Sequence, residues 1–446
     1  MRGTCLLGAG RYLHSASGSC GRFRRNTLFE FAPLLFLGVS TAVRLVAGFI
    51  LLKYLAVQFG PGSFGLLTQV MGVAAIFYMF AGGGITNGLI RNISAVFSLE
   101  EQQRWISAGI TINALSSLAL SAIAIALALL DGGVILGDPS HGWLYLVIAI
   151  TQVVVGAGNV VLAYFSGIGE VRTIATAHIA GNTLSLLLLI LLVEAVGFNG
   201  ALLGAVLGPA ITGVIALRQF FVRENHRGML FRISWEPPLL KNLSSYAAVM
   251  VCAVTAVPVA QLMIRLAMGK SLGWNFVGYW QAVAKVSDAY MAFIGVIFIN
   301  YLLPKLSKLR SDAAALRVLR HFGASMLGIF FFAGITMYAV RHYVILIIYS
   351  QTFSPASDLV LPQLVGDGAR IGTLLLQYYF MSRERFLIVM TLELMQGIAL
   401  YSFYLIFAAS YGAMAPVYSH VVTSGLMLSI AVGMLRIVKD PVDLRA

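Results

Sequence analysis

Charge is scarce in this chain. Of its 446 residues, 11% are Asp, Glu, Lys or Arg, against about 25% in a soluble domain. That shortfall excludes an ordinary water-facing globule. Acid is scarcer than base, with 17 Asp and Glu against 30 Lys and Arg and a net charge of +13. There are only three cysteines, Cys5, Cys20 and Cys252, and they lie far apart. Their spacing excludes a zinc ligand set, and their odd number argues against a disulfide framework. No phosphate-binding loop, zinc motif or nucleophile elbow is present. No connection between apolar runs is long enough to hold a catalytic domain, which argues against a membrane glycosyltransferase or polymerase. A non-enzyme without metal or cofactor is therefore expected.

What is present is apolar. Hydrophobic residues make up 59% of the chain, and the mean hydropathy is +0.88. Many runs are long enough to cross about 30 Å of hydrocarbon, and they are too long and too uniformly apolar for barrel strands. The pattern predicts an all-α polytopic membrane protein with twelve transmembrane helices, at about 31–58, 65–93, 105–130, 142–167, 172–195, 199–221, 243–268, 276–303, 318–340, 358–381, 386–408 and 412–436. Arg341–Tyr349 is too short to span and is expected to lie at the interface.

The basic residues set the orientation. One side collects 23 of the 30 Lys and Arg residues, from the N-terminal tail, the short connections and the C-terminus. The positive-inside rule makes that side, and both termini, cytoplasmic. The +13 charge is thereby assigned to membrane topology, and no nucleic acid is expected. The stretch from Met1 to Arg25 holds five Arg, and no acid precedes Glu30. Three readings stand for it: a basic cytoplasmic tail, an interfacial arm, or a targeting segment.

Two halves of the chain march in step. Gly65 matches Gly278 and Arg172 matches Arg385 at an offset of 213, and Gly200-Ala201 matches Gly412-Ala413 at 212. This predicts two parallel six-helix lobes around a central cavity, a design that puts the transport site between its repeats. The expected units are a basic tail (1–30), a first lobe (31–222), a basic linker (223–242), a second lobe (243–436) and a C-terminal tail (437–446).

Several charges sit where lipid is expected. Arg44 lies near the middle of its apolar run, where a charge costs roughly 2.5–3.5 kcal/mol on insertion scales. Its helical neighbours Ser40, Thr41 and Gly48 are small or polar, which suits either a cavity wall or a buried structural pair. Lys53, nine positions on, faces the opposite side and can snorkel. Gln281, Lys285 and Asp288 form one stripe, read either as a self-satisfied pair or as a switch in which an anion takes Lys285 and frees Asp288 for an ion. Asp367 and Arg370 repeat the i, i+3 spacing, with Gln363 and Gln377 nearby, and are read as structural or gating residues. Arg265 and Arg91 are expected to be interface anchors or to guard a cavity mouth. Glu393 is the lone acid of its span. In Ala81-Gly-Gly-Gly-Ile-Thr-Asn-Gly88, Asn87 is a polar handle beside glycines that serve either close packing or a hinge. Gln152, Asn159, His178, Asn182 and His420 are expected to make interhelical hydrogen bonds.

Several strings resemble those of Wzx-type polysaccharide flippases of the multidrug/oligosaccharidyl-lipid/polysaccharide exporter superfamily. They are Phe59-Gly-Pro-Gly-Ser-Phe-Gly65, the 81–88 string, Trp280-Gln281 with Ser287-Asp288-Ala289-Tyr290, Tyr301-Leu-Leu-Pro304, and Gln363-Leu-Val-Gly-Asp367. The resemblance covers about residues 31–436. It implies two lobes that open alternately to either side, in a bacterial cytoplasmic membrane. The cargo it implies is a polyprenyl-diphosphate-linked oligosaccharide, with glycan polymerase and chain-length proteins as partners beside membrane lipid. Arg44, Lys285, Gln281, Arg265 and Asn87 are then candidates for holding the cargo, and Asp288, Asp367 and Arg370 for ion coupling or gating. Two rivals stand: an ion-coupled drug or cation antiporter of the same superfamily, and a non-transporting scaffold for glycan-assembly enzymes.

Overall fold

A computed structural model describes the backbone of residues 23–82, 84–222 and 235–439, and the side chains of 46–82, 84–222, 235–244 and 255–436. All regular structure among these residues is helical. The first half of the chain holds α1 (Phe23–Phe80), α2 (Thr86–Ser94), α3 (Leu99–Leu130), α4 (Leu144–Gly167), α5 (Val171–Val196) and α6 (Phe198–Val222). The second holds α7 (Pro237–Ser271), α8 (Trp274–Ile297), α9 (Leu303–Lys308), α10 (Asp312–Ala339), α11 (Arg341–Ile348), α12 (Val360–Ser382), α13 (Phe386–Tyr411) and α14 (Ala415–Lys439).

Nine helical segments among the described residues are long and apolar enough to cross a membrane. Their outer faces suit lipid rather than water. The most apolar window of α10 is only 6% buried and that of α3 only 17%, and Leu129, Leu130, Phe332 and Leu387 stand exposed. Helices apolar on their open faces need a hydrocarbon solvent. The protein is an integral membrane protein.

The local chemistry explains the breaks. α1 reverses at Gly60 alone (φ 70, ψ −176), a backbone that a side chain disfavours. The outer loop expected between the first two spans is therefore a single glycine in an otherwise helical run. The second expected span, 65–93, is not continuous. It stops at Phe80 and resumes at Thr86, with Gly82 and Gly84 at positive φ between them. That break is packed against α4, because a Cβ on Gly156 would lie 2.8 Å from the Gly82 nitrogen. A π-helical turn at Phe298–Leu302 joins α8 to α9, just ahead of Pro304. The short Arg341–Tyr349 segment forms the eight-residue α11, followed by a 3-10 stretch, Gln351–Leu359.

Backbone conformations recur along the chain, but at a corrected interval. α5 ends on Gly197 (φ 63, ψ −136) and α13 on Gly412 (φ 50, ψ −117), an offset of 215. Gly169 and Glu384 both have positive φ, at the same offset. They precede the N-caps Glu170 (φ −78, ψ 59) and Arg385 (φ −89, ψ 57). Arg385 is thus the counterpart of Glu170, not of Arg172, and Gly412 that of Gly197, not of Gly200. The offset of 213 does hold at Gly65 and Gly278, which touch. A Cβ on Gly65 would lie 2.4 Å from the Trp274 carbonyl oxygen, and one on Gly278 2.0 Å from that of Pro61. Pro61 and Trp274 are related by the same offset, so the contact is reciprocal, as across a two-fold axis.

Candidate functional site

Asp367 is the centre of the densest polar cluster. It stands on α12, one turn after Gln363 and one turn before Arg370, and is only 2% exposed. One carboxylate oxygen accepts from Ser287 Oγ at 2.7 Å and from the Tyr290 hydroxyl, both on α8. The other accepts from Gln363 Nε2 at 3.1 Å and from His420 Nε2, on α14, at 2.8 Å. His420 fits because Gly366 has no side chain: a Cβ there would lie 2.4 Å from the imidazole Cδ2. A carboxylate held by four donors, with no fixed cation among them, is stabilised where a bare one would be costly.

The i, i+3 spacing of Asp367 and Arg370 does not bring the two into a pair. Both stand on one face of α12, but neighbouring helices supply the partners. Arg370 Nη2 donates to Glu393 Oε1 on α13 at 2.8 Å, and Gln377 Nε2 donates to the same oxygen at 2.9 Å. Glu393 thus gains the partner that sequence could not name. Arg370 Nη1 and Gln396 Oε1 are buried with no hydrogen-bond partner among the described residues. Both residues, with Asp288, Asp367 and His420, line a cavity of about 270 Å³ between α7, α8, α12, α13 and α14.

The α8 stripe divides. Gln281 is buried, while Lys285 and Asp288 pair at 3.2 Å with side chains 35% and 61% exposed. Neither side chain of this pair is enclosed by the described residues, which leaves both groups accessible to other partners. Ser287 and Tyr290, beside the stripe, are cluster residues that charge-led reading passes over. Their signal is the Ser-Asp-Ala-Tyr string itself.

Arg265 corrects another expectation. It is not an interface anchor: it is 5% exposed, and its Nε donates to Gln69 Oε1 on α1 at 3.0 Å. Gln69 in turn donates to the Ile135 carbonyl at 2.8 Å. The guanidinium lies over Gly72, where a Cβ would stand 2.1 Å from Nη2. No carboxylate among the described residues forms an ion pair with Arg265. A cation buried between the two halves of the chain is therefore held in direct contact by an amide.

The remaining candidates stand apart. The Arg44 side chain lies outside the described residues. Asn87 is exposed on α2 and does not line the Asp367 cavity. Lys53 does not simply snorkel. Its ammonium donates to the carbonyls of Leu346, at 3.0 Å, and Tyr349, at the C-terminal end of α11. Gln152 makes the interhelical bonds expected of it, to Ser117 O and Ser121 Oγ, both at 2.9 Å. Asn182 does not, because its Nδ2 is buried with no partner among the described residues.

The chain is similar to known proteins along most of its length. A family model for polysaccharide biosynthesis proteins matches residues 55–358. The lipid III flippases of Escherichia coli (strain K12) and Shigella flexneri are each 27% identical over 401 residues, covering 90% of this chain and 96% of theirs. Among solved structures, the fold resembles the lipid II flippase MurJ in an inward closed conformation (TM-score 0.73, 13% identity, 90% of this chain and 87% of that one). It also resembles an inward-facing multidrug resistance MATE family transporter (TM-score 0.68, 13% identity, 91% and 98%).

Proposed function

Because the chain belongs to the polysaccharide biosynthesis protein family, we propose that it is a flippase, a transporter and not an enzyme, that carries a polyprenyl-diphosphate-linked oligosaccharide from the cytoplasmic to the outer leaflet of a bacterial inner membrane. The observation that carries this reading is Arg265, buried between the halves with no ion pair among the described residues. An unpaired buried cation is costly, and a diphosphate passing between the halves would offset that cost.

In this reading α1 to α6 and α7 to α14 are two lobes of six spans each, α1 counting as two, with boundaries near 31–222 and 243–436, joined by a basic linker. Both termini are cytoplasmic. The end at which Gly65 and Gly278 meet is then the outer one, and it is closed by that contact and by Arg265 with Gln69. Arg265 forms the roof of a cavity open to the cytoplasm. Lys285 leaves Asp288 to meet the incoming diphosphate, and Gln281 adds to the same wall; the charge of Arg44 is assigned the same task on sequence grounds alone. The sugars stay in water while the polyprenyl tail trails in lipid. Asp367, Arg370 and Asp288 serve gating or ion coupling, since a buried carboxylate with His420 as partner changes its contacts when a proton or cation arrives.

The test is translocation of a fluorescent undecaprenyl-diphosphate oligosaccharide in proteoliposomes. Arg265→Gln keeps a hydrogen-bonding group at Gln69 but removes the charge. Loss of a buried partner to a phosphate predicts about 100-fold slower transport, with thermal stability little changed. Wild-type rates in Arg265→Gln would refute the anion roof. Transport of lipophilic cations in place of the lipid would favour the antiporter.

A further inference from the structure

The orphaned amide of Asn182 points to a second ligand site. A buried amide donor without a partner costs about 1–3 kcal/mol, so a polar group is missing from its surroundings. Asn182 lines a cavity of about 440 Å³ among α1, α4, α5 and α6, within the range of small-molecule pockets. Asn159, His178 and Thr212 line it too, and Leu51 and Leu186 supply apolar walls. No Asp, Glu, Lys or Arg is found among its described lining residues. The space is real at Gly48, where an added Cβ would meet nothing within 4 Å.

Two ligand classes are excluded on chemical grounds. An ionised sugar or phosphate placed against Asn182 would find no counter-charge on α4, α5 or α6, which supply most of the lining. A hydrocarbon tail would leave the Asn182 amide unmet. A neutral sugar satisfies both conditions: its hydroxyl or acetamido oxygen accepts from Asn182 Nδ2, and its apolar ring face lies on Leu51 and Leu186. We infer that this cavity holds one neutral sugar of the cargo, while the cations outside it hold the diphosphate. The inference rests on the flippase reading and adds to it a place where the glycan itself is recognised.

The test compares binding of two probes to the purified full chain in nanodiscs: undecaprenyl diphosphate, and undecaprenyl diphosphate carrying one N-acetylglucosamine. One or two added hydrogen bonds predict about tenfold tighter binding of the sugar-bearing probe. Gly48→Phe fills the cavity at an open position, and Asn182→Leu removes the orphaned donor. Each should abolish the tenfold difference and leave undecaprenyl diphosphate binding unchanged. A difference that survives in both variants, or no difference in the wild type, overturns the sugar site and leaves the flippase reading standing. A wild type that binds neither probe overturns the flippase reading and the sugar site with it.

Discussion

The cavity at Asn182 and the cavity at Asp367 are built from corresponding positions of the chain. Gly48 and Gln261, and Met71 and Ala284, are related by the offset of 213; Val155 and Arg370, and Ala205 and His420, by that of 215. The backbone plan is shared and the chemistry is not. Where the second half has Asp367, Arg370, His420 and Glu393, the first has Gln152, Val155, Ala205 and His178. Leu52 is the counterpart of Arg265 at the offset of 213. A fold that closes around Val155 and Ala205 does not need Arg370 and His420 to close. The shared backbone plan therefore does not require the charges of the second half, and the comparison can be broken by moving charge out of that half.

The largest effect is expected at Arg370. Arg370→Leu gives the second half the apolar character of Val155 and leaves the partly buried Glu393 with Gln377 as its only described hydrogen-bond donor. Removing one partner of a fully buried ion pair costs about 3–5 kcal/mol, and this partly buried pair should fall at or below the lower end of that range. Arg370→Leu with Glu393→Gln removes both charges and should recover most of that loss, since replacing a whole buried pair is often nearly neutral. Thermal unfolding in detergent separates the two. If the double variant is as unstable as the single one, the pair is part of the fold after all and the contrast between the halves loses its meaning. If it is stable but does not transport, the charges are functional.

How much of this is legible in the sequence differs between the halves. That the chain is built of long apolar helices with cations in its interior follows from apolar run length and charge position alone; the reversal at Gly60 and the break between Phe80 and Thr86 do not. Asp367 and Arg370 are visible as charges in an apolar run, but their partners are not. Periodicity gives the face of one helix and says nothing about which helix packs against it, so an i, i+3 neighbour stands in for His420 and Glu393. Arg265 is easily misread because its shelter is an absence, the missing side chain of Gly72 on a helix of the other half. The neutral cavity leaves no signal at all. Asn159 and Asn182 look like any interhelical amide until one proves to have no described partner. The repeat is detectable through loop glycines, and its interval slips by two or three positions wherever a nearby identity looks like a match.

The two halves also meet each other, and the reciprocal glycine contact sharpens the comparison. Gly278→Ala puts a methyl 2.0 Å from the Pro61 carbonyl oxygen, and backbone cannot move aside as a side-chain tip does. Overpacking of this kind costs about 1–3 kcal/mol. The expected outcome is a shift toward the conformation in which this end is open, read as faster labelling of a cysteine placed at the buried Thr68 in a chain whose three native cysteines are replaced. Gly65→Ala, facing the Trp274 carbonyl at 2.4 Å, should do the same to a similar degree. An effect from only one of the pair would show that the contact is not two-fold in its energetics.

The smallest effect concerns a helix, α11, that has no counterpart among the described residues of the first half. The turn after α3 is held from within: Asp131 accepts from the backbone N–H of Gly133, at 3.2 Å, and Ile135, at 3.0 Å, and from the Tyr145 hydroxyl at 2.7 Å. The corresponding stretch after α10 carries the extra helix α11 and the 3-10 turn, and part of its anchorage comes from the other half. Lys53 on α1 caps the last carbonyls of α11, and Phe64 on α1 packs edge-on against Tyr349 and Phe353 at 5.6 Å. A cation at a helix C-terminus contributes about 0.3–1 kcal/mol. Lys53→Met keeps the aliphatic stem and removes the cap, so α11 should exchange its amide hydrogens about threefold faster, with α12 and α8 unchanged. Asp131→Asn should loosen only the turn after α3. The aromatic packing and the Tyr349 hydroxyl, which donates to the Ala282 carbonyl at 2.8 Å, remain in both variants, which is why α11 should loosen without leaving its place. Exchange that is unaltered in α11 would mean that the aromatics alone hold it, and that Lys53, despite its depth in the first helix, is dispensable to the joint between the halves.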